Sequence, residues 1–260
     1  MPETRLRTES KPTLIRSIPL VIAGDRLRVH ELHKWKRERH GKVEVLADQK
    51  SGSIIEFKWL ISAAETYNIS PDPSDFVIAE VPLVRADVPN RNLDNFSFRE
   101  LSRFCNVTGM PVYRTFVGKP TFQDHDNKDP LRAKGVNFDS VMIQEKDRNG
   151  VKGWTVRVLS GFDRTKDRNL ALDILKGERR AYSMGAMVDV GLCSVCGGVA
   201  LGKSSGRSAC RCVGAKKGSI IVVAGKPLLK YNNCLGVNFA ENSSVETPAN
   251  NDAVSEDWWE

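Results

Sequence analysis

Membrane-spanning length is the first thing this sequence lacks. No apolar run reaches the ~18 residues that a bilayer-crossing helix needs. The run "IPLVIAG" near the N-terminus has only seven residues. It follows a charged stretch and is too short for the apolar core of a secretion signal, so the chain is expected to act inside a cell. Histidine is scarce as well: His30, His33, His40 and His125 are the only four. A reaction that needs an imidazole base has few places to find one. Residues 1 to 80 hold no internal repeat, and no function is legible in them. The last ten residues, 251 to 260, are acidic and hold little apolar surface beyond Val254, Trp258 and Trp259. Such a tail is expected to stay flexible, because it cannot bury enough surface to offset its ordering entropy.

What is present divides the chain unevenly. Charged residues make up 27% and hydrophobic residues 40%, the balance of a globular protein with a buried core. The net charge is +7, and "HELHKWKRERHGK", residues 30 to 42, concentrates positive charge. That run is either a solvated helix face or a docking segment for nucleic acid or an acidic partner. Prolines in "NISPDPSDF" mark a turn, and a boundary is expected near residue 78. Beyond it, "DFVIAEVPLVRADV" and "MPVYRTFVGKP" read as strands, and "NFSFRELSRFC" as a short helix. "VNFDSVMIQEKDRNGVKGWTVRVLSG" reads as a hairpin, because Asn-Gly accepts positive φ in a tight turn. "DRTKDRNLALDILKG" reads as a helix with Gly177 as its C-terminal stop. The fold class expected is α+β: a mostly antiparallel, barrel-like β core over residues 79–250, with a few helices and a separate N-terminal region.

Four cysteines lie within twenty residues: Cys193, Cys196, Cys210 and Cys212. Cys-x2-Cys followed by Cys-x-Cys can supply four thiolates to one tetrahedral zinc ion, the closed structural kind of site. Gly197 and Gly198 suit the tight turn around such an ion. The cluster is expected to form an inserted zinc knuckle at about 191–215. Buried unligated thiols and redox chemistry are the other readings. Cys105 and Cys234 stand apart and are expected in the core.

Ser183, in "LKGERRAYSMGAMVD", sits on a predicted strand and shares a face with Ala181, Gly185 and Met187. An ordinary strand serine accounts for it. So does a nucleophile, provided a base and an orienting group lie close. His125, in a loop-like stretch, is the one histidine outside the basic N-terminal region.

Four segments in order carry a resemblance. They are "VPNRN" (88 to 92), "VGKPTFQDHDN" (117 to 127), "LKGERRAYSMGAMVD" (175 to 189) and "FAENSSVETPANNDA" (239 to 253). Together they resemble the prohead, or capsid maturation, proteases of tailed bacteriophages, which are related in fold to the herpesvirus protease assemblin. The resemblance implies a serine endopeptidase with Ser183 as nucleophile and His125 as general base. It implies scaffold and major capsid proteins as substrates, cleavage of the enzyme itself, and a location inside the assembling prohead in the host cytoplasm. It leaves room for a homo-oligomer. Assemblin has a second histidine after its serine, and this chain has none there. Glu241 is favoured as the third member because a carboxylate stabilises an imidazolium better than a hydroxyl does. Ser243, Asp126 and Asp139 stand as the other candidates. The alternative reading is a non-catalytic, zinc-containing scaffold or nucleic-acid-binding protein of the capsid core.

Overall fold

The computed structural model describes residues 58–259, apart from 107, 148, 203–207, 213, 214, 251 and 256. The basic segment 30 to 42 lies outside the described residues. The elements follow from capping and burial. Helix α1 (Lys58–Tyr67) buries Leu60, Ala63 and Ala64 against Phe76, Ile78 and Phe138. Asp72 caps a short turn of 3-10 helix, Pro73–Asp75, by accepting from the Ser74 amide. Strand β1 (Phe76–Arg85) follows at once and is buried along its whole length. The expected boundary at residue 78 therefore falls inside a core strand. The prolines mark a turn within one folded unit, because α1 packs on the same sheet that β1 enters.

After the two-residue β2 (Asp94–Asn95), Ser97 caps α2 (Phe98–Ser102) by accepting from the Glu100 amide. "MPVYRTFVGKP" departs from the strand reading. Val112–Phe116 is 3-10 helix, which turns Val112, Thr115 and Phe116 inward together. Only β3 (Pro120–Gln123) is extended. The hairpin is as read: β4 (Gly135–Lys146) pairs with β5 (Lys152–Asp163), and Gly150 takes φ +80° in the turn. Helix α3 (Arg168–Leu175) is capped by Asp167 and followed by Gly177 at φ +75°. Its Leu170, Ala171 and Ile174 enter the larger core with Val77, Val81, Phe162 and Tyr182.

Next come β6 (Ala181–Met187), β7 (Val190–Cys193), β8 (Val199–Gly202), β9 (Ile220–Val223) and β10 (Lys226–Leu229). The last three are β11 (Asn232–Leu235), β12 (Asn238–Val245) and β13 (Asp257–Trp259). Seven strands form the main sheet in the order β13-β1-β5-β4-β3-β12-β6. The chain is α+β and mostly strand, as expected, but the sheet is open and not a closed barrel. It curls far enough that Asn242 on β12 donates to Ser160 on β5 at 2.6 Å. Among the described residues its edge strands β13 and β6 do not pair with each other, and an isolated bridge, Ala181 to Val254, reaches across.

That bridge also corrects the expectation for residues 251–260. Ala253 and Ser255 are buried, and β13 pairs with β1 from Asp257 to Trp259. Main-chain hydrogen bonds order this segment: Tyr182 N–H donates to Ala253 O, and Ser255 N–H to Arg180 O. An edge strand needs no apolar run to accept a neighbour. Among the described residues no helix is long and apolar enough to cross a membrane.

Candidate active site and metal centre

β6 and β12 are antiparallel neighbours, and their register brings the site together. Ser183 lies opposite Ser243, and Gly185 opposite Glu241. Directly opposed residues share a sheet face, so these four positions face the same way. Glu241 is only 3% exposed. Burying a carboxylate is costly unless its oxygens are bonded, and both are. Ser243 Oγ donates to Glu241 Oε2 at 2.6 Å, and His125 Nδ1 lies 2.9 Å from Oε1. Gly185 makes the room for this. A Cβ there would sit 2.6 Å from Glu241 Oε1 and 3.0 Å from its Cγ. The small-residue face beside Ser183 thus receives a carboxylate of the protein itself.

His125 is aimed by its loop. β3 runs parallel to β12, and the chain leaves it through Asp124 and His125, at φ +51° and +56°. Two consecutive non-glycine residues in the left-handed region need holding in place. Asp124 N–H donates to Ser244 O at 2.9 Å, and Asp126 N–H to Gln123 O at 3.0 Å. Arg179 adds a clamp: its Nη2 lies 3.0 Å from Asp124 Oδ2, and its Nη1 reaches Ser244 O. Arg179 stands four residues before Ser183 and ties the histidine loop to the serine strand. A lone arginine in a basic pair gives no spacing cue, and the sequence reading missed it. The only forewarning was an Asp before the histidine, since Asp tolerates positive φ better than most residues.

The bond to Glu241 raises the pKa of His125 above its ordinary value. Partial burial opposes the shift, and the charges of Glu241 and Asp124 add to it. With Nδ1 on the carboxylate, Nε2 is the nitrogen left for acid–base work. Ser183 is 7% exposed. Among the described residues no hydrogen bond joins its hydroxyl to His125. Ser183 also lines a cleft with Val84, Val88, Asn90, Phe96 and Ala249. That cleft unites the first and last of the four segments read from the sequence.

The other two carboxylates considered for the third position are engaged elsewhere. Asp139, buried on β4, pairs with Arg114 at 2.8 Å. Asp126 pairs with Arg132. The His125 ring is bonded to Glu241, and Ser243 meets Glu241 as well.

The cysteine cluster sits in the connection between β6 and β12. That insertion is larger than the expected 191–215: it runs through a four-stranded sheet, β2-β11-β7-β8, and a separate β9–β10 hairpin. Gly197 takes φ +68° and its N–H donates to Cys193 O at 2.9 Å. Gly198 lets the second cysteine pair approach, since a Cβ there would meet Ala209 O at 2.6 Å. The four Sγ atoms lie within 4.8 Å of one another, with Cys193 to Cys212 at 3.8 Å and Cys196 to Cys210 at 3.6 Å. These separations are too long for disulfides. They match the ~3.8 Å between thiolates on one tetrahedral zinc at about 2.3 Å per bond. The Gly198 amide, chief among its hydrogen bonds, lowers the Cys196 thiol to about 6. Desolvation first, then neighbouring thiols, push Cys212 up to about 12. Four thiols so close resist losing their protons together, and a bound cation is what relieves that. The cluster is therefore compatible with a metal site. Cys105 and Cys234 belong to the main core, as expected.

No family model, curated protein or solved structure matches this chain.

Proposed function

We propose that this chain is a serine endopeptidase of the prohead maturation type, cutting scaffold and major capsid proteins, and itself, inside the assembling head. The observation that carries the reading is the His125–Glu241–Ser243 hydrogen-bonded chain on the sheet face that also bears Ser183. It adds to the ordered resemblance of the four segments. In this reading Glu241 holds the proton on Nδ1 of His125 and leaves Nε2 as the base. Nε2 takes the Ser183 proton as Oγ attacks the scissile carbonyl carbon, and returns it to the leaving amine. Water then hydrolyses the acyl-enzyme by the same route. Glu241 stabilises the imidazolium formed in each half, and Ser243 fixes the second carboxylate oxygen. Ser183 and His125 come into hydrogen-bond reach when substrate fills the cleft.

The cysteine cluster is proposed to hold one zinc ion through Cys193, Cys196, Cys210 and Cys212. With four thiolates it has no open position, so its role is structural. The second reading, a non-catalytic zinc-containing scaffold or nucleic-acid-binding protein, draws on the basic composition around that cluster.

One pair of variants separates the two. Ser183→Ala should abolish processing of co-expressed scaffold protein while the circular dichroism stays unchanged. His125→Ala should lose about as much, and the two losses should not add, because the pair acts as a unit. Near-normal processing by Ser183→Ala would sink the peptidase reading.

A further inference from the structure

The β9–β10 hairpin stands apart from both larger sheets. Its register places Ile220, Val222, Pro227 and Leu229 on one face, since Leu229 lies opposite Ile220 and Pro227 opposite Val222. Every side chain on that face is apolar. Ile220 is 69% exposed and Val222 68%. A two-stranded hairpin is marginal in water and gains stability from a third strand or a covering layer. Among the described residues nothing supplies either.

Charge points to the occupant. Residues 190–240 hold seven lysines and arginines and no aspartate or glutamate. Lys217 is spent on Asp94, at 2.7 Å, and Lys230 is buried on the Cys212 and Ala215 carbonyls. Arg211, Lys216 and Lys226 are exposed. A second copy of this chain would bring the same unbalanced positive charge and be repelled. Nucleic acid would satisfy the cations, but it gains nothing from an aliphatic face. Residues 190–238 also hold a single aromatic side chain for bases to stack on, the half-buried Tyr231, and no Phe or Trp. A polypeptide with carboxylates and aliphatic side chains meets both features.

We propose that this hairpin docks an acidic, aliphatic polypeptide segment as an added third strand. The segment hydrogen-bonds to an open edge, its aliphatic side chains extend the Ile220–Val222 face, and its carboxylates meet the surrounding cations. The inference rests on the hairpin and its charge, and it stands or falls apart from any chemistry at Ser183.

Fluorescence anisotropy of the full chain tests it. The probe is a short labelled peptide of alternating Glu and Val. The expected result is binding that weakens at high salt and is absent for the matched Lys–Val peptide. Ile220→Asp with Val222→Asp should weaken it about tenfold or more. Lys216→Glu with Lys226→Glu, at exposed positions that leave the fold intact, should do the same. Circular dichroism and metal content confirm that each variant is folded. No binding of the Glu–Val peptide, or binding by either double variant as tight as by the unsubstituted chain, would overturn the proposal. So would tighter binding of a single-stranded oligonucleotide, or dimerisation in sedimentation that the Ile220 and Val222 changes abolish.

Discussion

Glu241 is the residue on which the site's geometry turns. It is buried, bonded on both oxygens, and fitted against a glycine that could not be alanine without displacing it. Its effect on His125 has a definite sign. The raised pKa means the ring stays protonated to higher pH, and a general base must be unprotonated. The acid limb of the rate profile should therefore lie above the ordinary histidine value of 6.5. Glu241→Gln should move that limb to lower pH and cut the maximal rate by roughly 10²–10⁴-fold, through loss of the tautomer and of imidazolium stabilisation. NMR titration of the His125 ring checks the shift without any substrate. For folding, the sign follows the same linkage. The pairing contributes stability below the unfolded-state pKa and loses it as pH rises through the raised folded value. An unmoved His125 titration in Glu241→Gln would show that the two groups are uncoupled.

The elements differ in how much of themselves the sequence revealed. The β4–β5 hairpin was legible because Asn-Gly fixes its turn locally, and α3 because its apolar spacing ends at Gly177. Ser183, His125 and Glu241 were legible as residues. Their meeting was not, since it depends on a parallel β3–β12 pairing between segments over a hundred residues apart. The 3-10 turn at Val112–Phe116 was lost to strand-like composition. The C-terminal residues read as acidic and flexible because main-chain pairing to β1 leaves no mark in composition. The insertion allows a prediction of its own. Metal analysis should find about one zinc per chain, with bonds of about 2.3 Å. Cys196→Ser with Cys210→Ser should remove it and open residues 193–231 to proteolysis. The main sheet, which carries Ser183 and His125, should stay protected. Metal-free protein with an equally resistant insertion would count against a zinc-held fold.

At the scale of the whole molecule, one curled sheet brings four distant stretches to one place. β3 delivers the histidine loop, and β6 and β12 set Ser183 against Ser243 and Gly185 against Glu241. Residues near 90 and 249 then wall the cleft beside Ser183. The C-terminal segment bridges the gap between β6 and β1 that a barrel would have closed. The insertion leaves the sheet between β6 and β12 and returns without breaking their pairing. The proposed peptidase would carry its nucleophile on an edge strand of this sheet, with the proposed docking hairpin apart from it. The most direct test of that claim is mass spectrometry of the folded chain after treatment with a fluorophosphonate, whose phosphorus bonds to a serine oxygen with loss of fluoride only where a base activates the hydroxyl. The account predicts one adduct per chain, on Ser183, and no adduct there in His125→Ala. A folded wild-type chain that stays unlabelled at Ser183, or is labelled there equally without His125, would contradict it.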